Sequence, residues 1–358
     1  MNGTKAPSEK FTEFLALDKY AAGLRSLHVP RDALSWTRFC GSLSLVLVVL
    51  LFLSGAFMMF YYSPSPGAAY DSVDFAQFSL PFGDVIRGVH CYAWNLLLIV
   101  LGLHLAGTFL TAAYKAPRQM IWVSGVLTLL VVPAFIVTGD LLPWDQKGYW
   151  TTQVRNSIIS SVPVVGDFAL RLLQGGPRTG IVALTRFYVL HSLFLPGLLI
   201  LLIAVHFHFL AHRGLAEPLR ESKVGRSSMP FIPDMITRWL ILFVVVAVAL
   251  GLMAWYWPAP LESPADPTDS SYVPKPEWWV LFLNQLVTIF RGPLMVIGTV
   301  VVPGGLALLL LALPFIDRSP ERHPLHRKKS MFVAILIVVL LAVLSIMAYV
   351  QHFVTPHQ

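Results

Sequence analysis

Seven stretches of this chain run for about twenty residues almost free of charge, at 41–62, 89–111, 119–139, 188–210, 237–257, 294–316 and 331–351. At a rise of about 1.5 Å per residue, a helix of that length crosses a hydrocarbon core of about 30 Å. No stretch alternates as a barrel strand would, and lipid offers the backbone no hydrogen-bond partners, so the runs are predicted to be helices. A mean hydropathy of +0.68, with 13% charged residues, fits no soluble domain. The expected fold is an all-α, multi-pass integral membrane protein with seven transmembrane helices.

The basic residues are unevenly placed. With the N-terminus inside, eighteen of the twenty-six Lys and Arg fall on inner segments. These are Lys5, Lys10, Lys19, Arg25, Arg31 and Arg38, then Lys115 and Arg118, then Arg213, Arg220, Lys223, Arg226 and Arg238, then Arg318, Arg322, Arg327, Lys328 and Lys329. The positive-inside bias therefore puts the N-terminus on the cytoplasmic side of a bacterial-type inner membrane and accounts for the net charge of +7. Because the charges lie in separate short loops, they make no nucleic-acid face. Residues 1–35 form a polar N-terminal segment without the core of a signal peptide, and 8–27 could lie on the membrane as an amphipathic helix. The polar stretch 211–233 divides a four-helix part (36–225) from a three-helix part (226–358). Two loops are too long for simple connectors. In 141–184 the apolar patches 156–166 and 167–174 are expected to be surface helices, and 258–279 carries six prolines and four acids.

Four histidines sit inside the apolar runs, in two spaced pairs: His90 and His104, His191 and His206. Imidazoles are costly in hydrocarbon and call for a reason. Fourteen residues return to within about 40° of the same helix face, and fifteen to within about 60°. Two such helices side by side would present two facing histidine pairs, one near each side of the membrane, which suits two bis-histidine haems. Gly41 and Gly55 in the first run, and Gly125 and Gly139 in the third, are also fourteen apart. A flat macrocycle needs backbone without a Cβ wherever its edge comes close. His90 and His191 are assigned to the outer iron, His104 and His206 to the inner one. Arg87, one turn before His90, is a candidate partner for a haem propionate. His208 faces away from His206, and His28, His323, His326, His352 and His357 read as solvated. The two cysteines make no CxxC or CxxCH motif, so neither a disulfide framework nor the usual covalent haem signature is present. Cys91 reads as packing.

Three motifs complete the pattern: Gly-Asp-Leu-Leu-Pro-Trp-Asp-Gln-Lys-Gly-Tyr-Trp at 139–150, Arg-Phe-Tyr-Val-Leu-His at 186–191 and Pro-Glu-Trp-Trp at 276–279. With the histidine spacings, they make the chain resemble cytochrome b of the quinol-oxidising cytochrome bc and bf complexes over nearly its whole length. The fourteen residues between His191 and His206 resemble the photosynthetic (bf) branch, since the respiratory branch has thirteen. Residues 230–358 resemble that branch's separate three-helix subunit IV, as though the pair were joined in one polypeptide.

The resemblance implies two haem b groups, with Arg186 added to the haem-binding candidates. It also implies a quinol-oxidation site on the outer side between Pro143–Trp150 and Pro276–Trp279. Trp144, Asp145, Tyr149, Pro276, Glu277, Trp278 and Trp279 are its candidate residues. Quinol oxidation releases protons into an apolar pocket, and Glu277 is the candidate acceptor; its other reading is an acid favoured at a helix start. Trp279 stands where the family usually has Tyr. Electron bifurcation is implied, one electron passing to a Rieske-type iron–sulfur protein and one through the two haems to an inner quinone site. The chain has no cysteine set for a cluster, so that centre belongs to a partner, as does a c-type cytochrome or equivalent acceptor. Coupled proton translocation and a homodimer within a larger complex are implied too. His212 and Arg213 are inner-site candidates, or simply part of a basic loop. Cys40 is open between a third haem, attached through one thioether beside the inner haem as in the bf branch, and packing, because it lies one residue rather than two before Gly41. The alternative function is a di-haem membrane anchor of a quinone-linked dehydrogenase or hydrogenase. It would need the histidines but not the Pro-Glu-Trp and Pro-Trp-Asp-Gln segments.

Overall fold

The computed structural model describes residues 28–30, 36–176, 178–216, 228–269 and 271–354. The expected surface helix at 8–27, the remaining N-terminal positions, Arg220, Lys223, Arg226 and His357 lie outside the described residues. All seven expected spans are helices: α1 (Trp36–Met59), α3 (Gly83–Leu110), α4 (Gln119–Asp140), α7 (Ile181–Arg213), α8 (Pro233–Tyr256), α10 (Gly292–Ile316) and α11 (Lys328–Val354). Shorter helices join them: α2 (Ala69–Phe78), α5 (Gln146–Ser160), α6 (Gly166–Gln174) and α9 (Leu281–Ile289). One small ladder lies outside the helices, where β1 (His28–Pro30) pairs antiparallel with β2 (Ser228–Pro230), Val29 opposite Met229.

The apolar patch predicts the first surface helix at 156–166; the structure places it at Gln146–Ser160. The cause is a cap. Asp145 is extended and its side chain accepts from the Gly148 amide at 2.8 Å, which starts a helix through a polar stretch that an apolar-run reading passes over. The second surface helix, Gly166–Gln174, agrees with the expected patch to one residue.

The two histidine-bearing helices pack mainly on glycine-bearing ones. α3 lies against α1 and α8, and α7 lies against α4. α10 packs on α4, while α11 packs on α9. Leu240, Ile241, Val244, Val248 and Leu252 on α8 are all more than half exposed, as lipid-facing side chains are.

Lipid supplies little hydrophobic drive between helices, so polar contacts take on more of the assembly. Here they concentrate where the α3–α4 loop meets the α10–α11 loop. The Tyr114 hydroxyl donates to Asp317 Oδ2 at 2.5 Å, and Lys115 pairs with Asp317 at 3.0 Å. Arg327, its side chain fully buried, lies 3.3 Å from the same carboxylate and donates to the Phe109 carbonyl at 2.8 Å. Its guanidinium also stacks over the Phe109 ring. Burial of Asp317 works to raise its pKa, yet the bonds from Tyr114 and Lys115 outweigh it and hold the carboxyl down to about 2. A depressed carboxylate stabilises the fold above its unfolded pKa and loses that contribution as pH falls through the folded value. Asp317→Asn leaves the Arg327 charge buried without its counter-ion. The expected loss is about 3–5 kcal/mol at neutral pH, read as earlier thermal unfolding, with the gap to the parent closing as pH approaches 2.

Candidate functional site

The histidine helices set up two levels. On α3, fourteen residues bring His104 back to the face of His90. On α7 the step is fifteen, and the structure resolves the mismatch: the helix widens to a π turn over Leu190–Phe194, at His191 itself. Such a turn absorbs one extra residue. Fifteen residues less the one absorbed leaves fourteen α-helical steps, so both helices carry their histidines in the same phase. The His90 and His191 rings face each other with centres 6.3 Å apart, inclined by 60°. With metal–nitrogen bonds of about 2 Å, two imidazoles sharing one ion stand roughly 6 Å apart centre to centre.

Each histidine is seated against one of the four spaced glycines. A Cβ on Gly41, Gly55 or Gly125 would stand 3.2 Å from Cε1 of His104, His90 or His206, and one on Gly139 would stand 2.6 Å from Cε1 of His191. A real Cβ at any of these positions would push a ring aside.

The second nitrogen of every imidazole is already engaged. His90 Nδ1 lies 2.9 Å from Ser54 Oγ, His206 Nδ1 3.1 Å from Ser124 Oγ, and His191 Nδ1 3.2 Å from Thr138 Oγ1. Each hydroxyl spends its own proton on a carbonyl of its helix: Leu50, Met120 and Ala134 respectively. It therefore accepts from Nδ1–H. His104 Nδ1 donates to the Thr37 carbonyl at 2.8 Å. This network assigns the tautomer with the Nε2 lone pair free, as a metal-ligating imidazole requires. The sequence reading missed these partners, although a signal was available. Ser54, Ser124 and Thr138 each immediately precede a spaced glycine. Among the described residues no three His, Cys, Asp or Glu side chains converge. No bare-ion cage is thus built among the described residues, whereas two imidazoles per level with a glycine notch behind each suit an iron macrocycle.

Cys40 holds the position before the fourth glycine. It is 6% exposed, within the apolar cluster that includes Leu47, Leu97 and Leu199. Phe39, which stands two residues before Gly41 where the resemblance would put a haem-bearing cysteine, lines a cavity of about 260 Å³ with Ser42, Arg238 and Trp239. Arg87 donates to Gln77 Oε1 at 2.5 Å and to the carbonyls of Ala259 and Pro260, tying the long loop to α3. Arg186 donates to the Leu172 carbonyl at 2.5 Å, holding α6. His212 Nδ1 bonds the His208 carbonyl of its own helix, and His208, His212 and Arg213 are exposed. His352 corrects an expectation. Rather than solvated, it is half-buried, with Nε2 2.8 Å from Asn284 Oδ1 on α9, a partner 68 residues away that no local pattern reveals.

The two motif segments meet beside the His90–His191 level. Asp145 bridges to Pro264, the Gln146 amide donates to Ser263 O at 3.0 Å, and the Ala265 amide donates to Trp144 O at 3.0 Å. Trp144 adopts a left-handed backbone (φ 52°) and is buried with Tyr149, the rings edge to face at 5.6 Å. Burial pushes the Asp145 carboxyl up. Glu277, which follows Pro276, forms an ion pair with Lys147. Trp278 Nε1 donates to Asn95 Oδ1 at 2.8 Å, one turn beyond Cys91, the neighbour of His90. Trp279 Nε1 is buried with no hydrogen-bond acceptor among the described residues.

This chain resembles known proteins over most of its length. A family model described as "Cytochrome b(N-terminal)/b6/petB" matches residues 95–264, and "Cytochrome b(C-terminal)/b6/petD" matches 264–356. A "Cytochrome bc complex cytochrome b subunit" of Chlorobaculum thiosulfatiphilum is 32% identical over 94% of this chain and 78% of its own length. The chain belongs to the cytochrome b family. Cytochrome b6 of Prochlorococcus marinus is 38% identical over 58% of this chain and 95% of its own. The solved structure titled "Hyperthermophilic respiratory Complex III" superposes with a TM-score of 0.80 at 25% identity, covering 98% of this chain and 92% of that one. This cytochrome b is therefore a haem b-binding, multi-pass membrane subunit of a bc-type oxidoreductase.

Proposed function

We propose that this cytochrome b oxidises quinol at the face where Pro143–Trp150 is stitched to the 258–279 loop. A four-helix part (36–225) would hold two haem b groups and a three-helix part (226–358) would complete the quinol site. The observation that carries the reading is the pair of facing imidazoles, 6.3 Å apart, with Nδ1 engaged and glycine behind each ring. His90 and His191 hold one iron, and His104 and His206 the other. When bound, the haems supply a one-electron path from one face of the bundle to the other.

The chain's own residues do the rest. Trp144, Tyr149, Trp278 and Trp279 wall the quinol pocket and exclude water. Glu277 accepts a quinol proton and carries it outward. One quinol electron leaves for a Rieske-type iron–sulfur protein and onward to a c-type cytochrome or equivalent. The other crosses the chain to a quinone site at the basic face, where His212 and Arg213 stand, and quinone reduction there takes up protons. The charge bias puts that face and the N-terminus inside. Cys40 is assigned to packing rather than to a third haem, supported by its burial and by its place in the series Ser54, Ser124, Thr138. Association as a dimer is part of this reading. A di-haem anchor for a dehydrogenase or hydrogenase gives the stitched loops around Glu277 no role.

Glu277→Gln tests the assignment in the assembled complex. Quinol oxidation should slow by about 10²-fold, the lower end of general acid–base contributions, while both haem spectra stay intact. Normal turnover would mean that another group carries the proton.

A further inference from the structure

We propose that Lys147 is a positioning residue for quinol oxidation, holding the Glu277 carboxylate against the start of α5 as the anion that receives the quinol's proton. The inference rests on the reading of Glu277 as proton carrier. Lys147 is the second residue of α5, capped by Asp145. A helix start favours negative charge, so a cation there is misplaced unless something else holds it. The surrounding groups supply that hold. Burial works to lower the Lys147 pKa, but Asp140 and Glu277 outweigh it and raise it.

Of the nearby carboxylates, Glu277 is the one in direct contact with Lys147. Asp140 is taken by Arg155 at 2.8 Å, and Asp145 by the amides of Gly148 and Glu262. From α3, Cys91 lies within electrostatic reach of both Lys147 and Glu277, with Arg87 beyond it. The pair is half-buried, the Lys147 side chain 36% exposed and that of Glu277 20%. It therefore joins the two motif segments, and the next residue, Trp278, is pinned to Asn95 of α3.

The proton balance is simple. One of the quinol's two O–H bonds breaks as an O–H bond forms on Glu277, the second proton passes to water at that face, and the two electrons leave by the two acceptors named above. The neutral carboxyl no longer attracts the ammonium and is released from Lys147. It gives its proton to water at that face, and the regenerated carboxylate returns to the pair. Lys147 keeps its own three protons throughout.

The test is the rate of quinol oxidation by the assembled complex, followed across pH for the parent, Lys147→Met, Lys147→Arg, Glu277→Gln and the Lys147→Met/Glu277→Gln double variant. Haem spectra serve as the assembly control. Removing the ammonium leaves the Glu277 carboxylate without its anchor at the start of α5. Quinol oxidation by Lys147→Met should then be about tenfold slower, within the cost of misplacing a reacting group. Lys147→Arg should restore the parent profile, and the double variant should be no slower than Glu277→Gln alone. A Lys147→Met profile that superimposes on the parent, or effects that multiply in the double variant, would overturn the inference while leaving Glu277 as carrier. Parent rates in Glu277→Gln would overturn the carrier reading and this inference with it. Should Lys147→Met lose its haems, Lys147→Gln carries the same comparison.

Discussion

His104→Ala should halve the haem content. The variant is expected to retain one non-covalent haem b per chain where the parent has two, measured by acidic-acetone extraction and pyridine haemochrome spectra. Quinol should still reduce the remaining outer haem, but no electron should reach the basic face and turnover should stop. The size of the effect follows from the site: His104 is fixed by the Thr37 carbonyl and backed by Gly41. His208 and His212 are exposed on the far side of α7 and lean on each other, ring centres 4.2 Å apart. Unchanged haem content would remove His104 from the ligand set. The same extraction reports on Cys40, since haem left on the polypeptide would assign it a thioether.

Gly139→Val should be as severe at the other level. Its Cβ would stand 2.6 Å from His191 Cε1 and 3.0 Å from Nδ1, closer than real Cβ contacts. The branched side chain adds two methyl groups in the same space, so His191 must leave its place and lose Thr138 and the Phe135 carbonyl together. Loss of the outer haem and of all quinol oxidation is the expected outcome. Gly139→Ala should keep part of both. A Gly139→Val protein with two haems and parent turnover would mean that the glycine notch has no bearing on ligation.

Much of this was legible in the residues because the relevant periodicities are local. Seven uncharged runs give seven helices, and steps of fourteen or fifteen residues between His and of fourteen between Gly give two levels. What escaped has a physical reason in each case. The π turn at His191 depends on packing that no helical wheel carries, so a regular helix left a 60° offset where the structure has none. The α5 start is set by the Asp145 side chain, not by apolarity. The Ser and Thr that orient the imidazoles were in plain view before their glycines, but hydroxyl-to-own-helix bonds make such residues unremarkable in membrane helices. The Lys147–Glu277 and Tyr114–Asp317–Arg327 contacts join segments 130 and about 200 residues apart, and charge composition alone cannot say which carboxylate meets which cation.

The wide turn in α7 has a meaning for how such chains diverge. An insertion or deletion inside a membrane helix ordinarily rotates everything beyond it by about 100° and is ruinous wherever two faces must stay aligned. Here a surplus residue is stored as a local bulge over Leu190–Phe194. His206 keeps its bearing although fifteen residues, against fourteen on α3, separate it from its partner on the same helix. Chains that differ by one residue at this helix can then present the same pair of histidines. An alignment of them belongs with its gap at the bulge rather than anywhere between it and His206.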